Sequence, residues 1–94
     1  MKTYRVGVAG MVHDHVWGEL GHFSRMPNVG IVAAADPNQP LLDKIKEEHG
    51  VESLYSCAKE MIDAENLDIL QVATENATAD DIVVYAASKG IHIV

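Results

Sequence analysis

Gly10 closes an apolar run from Tyr4 to Ala9, and Asp36 closes another from Val29 to Ala35, 26 positions further on. A glycine in the first place makes a tight turn into a helix, whose free N–H groups and dipole attract phosphate. An acid in the second place accepts hydrogen bonds from the two neighbouring hydroxyls of a ribose, each charge-assisted bond contributing roughly 1.5 to 3 kcal/mol. The same acid repels a 2′-phosphate. The chemistry suggested by the pair is the cradling of a dinucleotide, with NAD preferred to NADP.

A full cradle of this type reads Gly-x-Gly-x-x-Gly. Its second glycine lets the backbone approach pyrophosphate and its third lets the helix pack on the strand. Here the window is Gly10, Met11, Val12, His13, Asp14, His15, so only the first glycine is kept. Val12 brings a β-branched side chain to the phosphate side, at a cost on the order of 1 to 2 kcal/mol if positive φ is demanded there. Asp36-Pro37-Asn38 also reads as a turn in which Asn38 caps the next helix, and the two readings are compatible.

Other reactive types are thinner. His13, Asp14, His15 and His22 invite a metal, but His13 and His15 diverge by about 200° on a helix, and polar or solvated turn residues explain them more simply. Trp17, beside an apolar stripe, reads as core rather than as a stacking platform. Cys57 has no histidine at a telling spacing, so no nucleophile is assigned. No catalytic residue and no metal ligand is expected.

Five short apolar runs alternate with stretches of helical spacing, and these must position the residues above. Tyr4 to Ala9, Val29 to Ala35, Ser53 to Tyr55, Leu67 to Ala73 and Ile91 to Val94 predict strands. Between them the spacing predicts helices over Asp14 to Met26, from Pro40 to a left-handed cap at Gly50, over Cys57 to Ala64, and over Thr78 to Lys89 before Gly90. Strict alternation predicts an α/β fold, a Rossmann-like doubly wound parallel sheet in strand order 3-2-1-4-5 with helices on both faces. Ligands then bind beyond the carboxyl ends of the strands, in the loops after Ala9, Ala35 and Ala73.

Several segments, in order and spacing over essentially the whole chain, resemble the amino-terminal half of the Gfo/Idh/MocA oxidoreductases. They are Tyr-Arg-Val-Gly-Val-Ala-Gly at 4 to 10, Val-Ala-Ala-Ala-Asp-Pro at 32 to 37, Glu-Glu-His-Gly-Val at 47 to 51, Leu-Asp-Ile-Leu-Gln-Val-Ala-Thr at 67 to 74 and Ala-Ser-Lys-Gly-Ile-His-Ile at 87 to 93. The resemblance implies a Rossmann domain that binds NAD(P), in enzymes that pass a hydride to or from a sugar, polyol or related alcohol. It implies that Gly10, Met11, Val12, His13 and Asp14 face the cofactor, that Asp36 meets the adenosine ribose, and that Thr74 and Asn76 border the nicotinamide ribose. Glu75 stands where the family has proline, and Ala79 where it often has histidine. The family's Glu-Lys-Pro motif and carboxyl-terminal substrate domain do not occur within residues 1–94, so the expectation is a cofactor-binding domain that is catalytically incomplete alone.

Composition bounds these readings. Ninety-four residues, 48% hydrophobic and 22% charged, make one folding domain. A formal charge of −7 disfavours nucleic acid and anionic lipid as partners. No run is long enough for a membrane span or has the form of a signal peptide. One cysteine fits a reducing compartment, and the cytoplasm is expected. Two functions stay open: the dinucleotide-binding portion of an oxidoreductase, or a non-catalytic binding or self-assembly module whose fifth-strand edge pairs with a second copy.

Overall fold

The computed structural model describes residues 3–11, 14–73 and 77–94, and within these it leaves out the side chains at 14, 15, 24, 77 and 78. The elements follow one another as β1 (Tyr4–Ala9), α1 (Asp14–Ser24), β2 (Val29–Ala35), α2 (Gln39–His49), β3 (Ser53–Tyr55), α3 (Ala58–Ala64), β4 (Ile69–Val72), α4 (Ala77–Ser88) and β5 (His92–Ile93). All strand pairs are parallel and the order is β3-β2-β1-β4-β5, the expected doubly wound sheet.

Successive residues of a strand point to opposite faces, so a sheet covered on both sides needs unbroken apolar runs. Val8 and Ala34 pack with Val16 and Leu20 of α1 and with Leu42 and Ile45 of α2. Their neighbours Ala9, Ala33 and Ala35 pack on the other side with Met61 and Ile62 of α3 and with Ile82 and Ala86 of α4. A register shift between Val6 and Gly7 leaves Val32 of β2 without a partner in β1, and Val32 packs toward the same side as Ala33.

Element ends depart from the sequence reading by small steps with visible causes. The first helix stops at Ser24 instead of Met26, where N–H groups of Arg25 and Met26 reach back three residues to His22 and Phe23 in a tightened turn before Pro27. Asn38 occupies the N-cap position of α2 but makes no side-chain cap bond; Pro40 supplies the stiff first turn and Gly50 the left-handed cap at φ 68°. β3 keeps its three expected residues, whereas β4 (Ile69–Val72) and β5 (two residues) are shorter than their apolar runs. The short outer strands leave little edge for another chain to extend.

Polar groups tie the second helical layer down. The hydroxyl of Tyr55 donates to Glu65 (2.6 Å), which also meets the guanidinium of Arg5 (3.1 Å). The Tyr85 hydroxyl donates to Asp63, itself paired with Lys89 (3.2 Å). The bond to Glu65 raises the Tyr55 phenol above its ordinary range, and the bond to Asp63 does the same for Tyr85. The Tyr85 bond in turn lowers the Asp63 carboxyl, and the Asp63 bond raises the Lys89 ammonium.

Two measurements check this packing. A Cβ at Gly7 would lie 2.5 Å from Cδ1 of buried Leu67. Gly7→Ala is therefore expected to cost about 1 to 3 kcal/mol in urea unfolding, and within about 0.5 kcal/mol of nothing when Leu67→Ala has opened the space. Both phenols are held neutral in the folded state, so the stability they add is complete below the ordinary phenol range and is lost as pH rises through their raised values. Absorbance titration should show Tyr55 and Tyr85 ionising above that range, each signal assigned by its disappearance in Tyr55→Phe or Tyr85→Phe.

Candidate functional site at the carboxyl ends of the strands

β1 is the strand on which the order reverses, with β2 on one side and β4 on the other. Its carboxyl end therefore faces the crevice in which doubly wound sheets hold ligands. The ladder runs to the mouth of that crevice: Gly10 N–H donates to Ala35 O (2.9 Å) and Ala73 N–H donates to Ala9 O (2.9 Å). The loops after Ala9, Ala35 and Ala73 are thus drawn to one edge, as the sequence implies.

Gly10 lies at φ 88°, a region that L side chains rarely adopt, so the glycine here answers a geometric need. Past it the chain turns inward. Met11 is wholly buried among Val8, Val16, Leu20 and Ile45. Its N–H donates to Asp36 Oδ2 (2.8 Å), and its carbonyl accepts the indole N–H of Trp17 (3.2 Å). α1 then begins at Asp14, placing a helix N-terminus four positions after the glycine turn.

Asp36 is 2% exposed. One carboxylate oxygen accepts from Met11 and the other from Asn38 N–H (2.8 Å), while its own N–H donates to Tyr55 O (3.0 Å). The carboxylate aims at the glycine loop. Residues 10, 11 and 36 are brought together, with Pro37 and Asn38 exposed beside them. Val12, His13, Thr74, Glu75 and Asn76 lie outside the described residues, as do the side chains of Asp14 and His15.

Trp17 is half-buried against α2. Its ring stacks on His49 at 6.2 Å between centroids, and Lys44 Nζ lies 4.1 Å from the ring centre. It is a clamp between α1, α2 and the Met11 carbonyl, which its place beside an apolar stripe did not reveal. Gln71 also went unread. It is 3% exposed on β4, opposite Val8; its amide donates to Glu19 of α1, and its Oε1 has no partner among the described residues. A lone amide within Ile-Leu-Gln-Val was the available signal. Among the described residues no group of three or more His, Cys, Asp or Glu is placed to hold a metal, and Cys57 is exposed and free. No described helix is long and apolar enough to cross a membrane.

The family model of the oxidoreductases with an NAD-binding Rossmann fold, Gfo/Idh/MocA, matches residues 4–94. The chain belongs to this family. Among curated proteins none matches. Of solved structures, myo-inositol 2-dehydrogenase from Lactobacillus plantarum superposes with a TM-score of 0.87 at 26% identity, over 98% of this chain and 27% of that one. A probable dehydrogenase from Thermotoga maritima gives 0.84 at 25%, over 95% and 26%. The scyllo-inositol dehydrogenase of Lactobacillus casei, solved with NAD(H) and scyllo-inositol, gives 0.87 at 20%, over 98% and 27%, a likeness of fold. The chain thus spans about a quarter of the length of these structures.

The family's glycine turn is the feature most open to direct test. Gly10→Ala should cost about 1 to 2 kcal/mol in thermal or urea unfolding, because a Cβ at φ 88° meets the backbone. Gly90→Ala, at φ 78° in the open turn after α4, provides the comparison with a strained glycine far from the crevice. Only the first should disturb the Trp17 fluorescence maximum, since only that loop holds the indole N–H.

Proposed function

We propose that this chain holds NAD at the carboxyl ends of β1, β2 and β4, as the cofactor-binding part of an oxidoreductase acting on a sugar, polyol or related alcohol. The observation that carries the reading is Gly10 at φ 88°, bonded to the end of β2 and leading into a helix within four positions. That is the arrangement by which backbone N–H groups and a helix dipole receive pyrophosphate. Family membership supports it, as do relatives of the same fold crystallised with NAD(H) or NAD+. In this reading Gly10 makes the turn with Met11 buried behind it, Val12, His13 and Asp14 form the phosphate side of the pocket, and Thr74 and Asn76 the nicotinamide side.

NAD is favoured over NADP by charge. Asp36 sets a carboxylate beneath the turn, and the exposed residues that follow it, Pro37 and Asn38, include no cation to receive a 2′-phosphate. Lys44 of α2 is occupied over the Trp17 ring.

Bound nicotinamide supplies a hydride acceptor or donor at its C4. Hydride transfer also needs the substrate held against that carbon and a group that takes the alcohol proton. We assign neither role to a residue of this chain, which spans about a quarter of its solved relatives, and place both in the remainder of a longer enzyme.

The single tryptophan makes the test direct, since Trp17 is bonded to the loop that would close on pyrophosphate. Titration with NAD should saturate the change in its fluorescence at about 1 mM or below, and NADP should bind at least about tenfold more weakly. No saturation by either removes the proposal. Equal affinities remove the charge argument and leave the rest.

A further inference from the structure

We propose that Trp17 is a positioning residue for the dinucleotide: its indole N–H holds the Met11 carbonyl while two side chains of α2 hold its ring, so that α2 helps to set the chain leaving the Gly10 turn. The part concerning the ligand rests on the dinucleotide reading above; the hold on Met11 does not. Three observations carry it. The indole Nε1 lies 3.2 Å from Met11 O, six positions back, so the bond closes the segment that joins the glycine turn to α1. The ring is itself fixed from α2, stacked on His49 at 6.2 Å between centroids and 19° between planes, with Lys44 Nζ 4.1 Å from its centre. Met11 is wholly buried and its N–H donates to Asp36 Oδ2 (2.8 Å), so its main chain is held at the amide from the end of β2 and at the carbonyl from α1.

The residue type matters for a definite reason. An indole donates at one ring edge and offers a broad flat face to a cation and to a second ring. Phenylalanine keeps the face and loses the donor. Planarity carries the effect onward: fixing the Met11 carbonyl fixes the plane of the peptide bond that leaves Met11, and with it the direction of the chain toward α1. A loop whose planes are set before a ligand arrives loses less conformational entropy on binding, so a side chain raises affinity without touching the ligand. Trp17 therefore acts on a bound dinucleotide through Met11.

The test compares Trp17→Phe with the wild type, affinities being read from amide chemical shifts because the variant has lost the only tryptophan. Two ligands are used: ADP-ribose, which carries the pyrophosphate, and adenosine, which does not. A positioning role predicts that the variant binds ADP-ribose about fivefold more weakly, the worth of one neutral hydrogen bond, and adenosine equally well. Unchanged affinity for ADP-ribose overturns the proposal, and so does an equal loss for both ligands, which marks a general loosening of the fold. Amide hydrogen exchange in the unliganded chain tests the hold directly: Met11 N–H should exchange about fivefold faster in Trp17→Phe, and unchanged protection rejects the hold. If the wild type binds neither ligand, the dinucleotide reading fails by itself and this exchange measurement alone decides the hold. Should Trp17→Phe not fold, the indole N–H resonance of the wild type decides. A shift on adding ADP-ribose that adenosine does not produce supports the proposal; no shift, or the same shift with both, overturns it.

Discussion

Burial of β1 on both faces is the constraint from which the rest follows. Val6 and Val8 are fully buried and Ala9 nearly so, with Val8 packed into one helical layer and Ala9 into the other. A strand in that position satisfies its backbone only through parallel neighbours on either side, here β2 and β4. With β1 central, its carboxyl end becomes the place where successive connections depart in opposite directions. The crevice is a consequence of the packing, and Gly10 stands at its mouth because the strand ends there.

Small residues make the double burial possible. Alanines at 9, 33, 34 and 35 keep both helical layers close to the sheet, and Gly7 leaves room for Leu67 to reach the core. Larger residues at these places would push the layers apart and draw the loops with them. The site depends on these distances more than on any one polar contact, because the hydrogen bonds from Gly10 to Ala35 and from Ala73 to Ala9 form only while the three strands keep their spacing.

The polar devices are few and each closes a particular seam. Asp36 joins two loops, Trp17 joins a loop to two helices, and Gln71 with Glu19 joins β4 to α1. On the opposite helical layer, Tyr55 and Tyr85 place hydroxyls on carboxylates of the α3 region. A chain with a formal charge of −7 thus uses several of its acids as acceptors for neutral donors as well as in ion pairs.

Strand order, helix placement and the crevice were legible in the residues themselves, since apolar runs such as 4 to 9 and 29 to 35 and the stops at Gly50 and Gly90 depend on local chemistry: side-chain period, β-branching and the freedom of glycine at positive φ. The family resemblance was legible for the same reason, its motifs being the turns and strands of that pattern. What Asp36 touches was not legible. Aspartate after β2 can serve a ligand hydroxyl and main-chain amides together, and which amides it meets turns on which donors the fold carries to within 3 Å. Met11, Trp17 and Gln71 were undecided in the same way: a methionine beside a glycine, an indole beside an apolar stripe and an amide in a strand acquire partners only when segments 6 to 52 positions apart are folded against one another. Sequence determined the elements and their ends because those are decided within a few residues. Tertiary structure decided the use of each polar side chain, because a hydrogen bond depends on distance in space and not on separation along the chain.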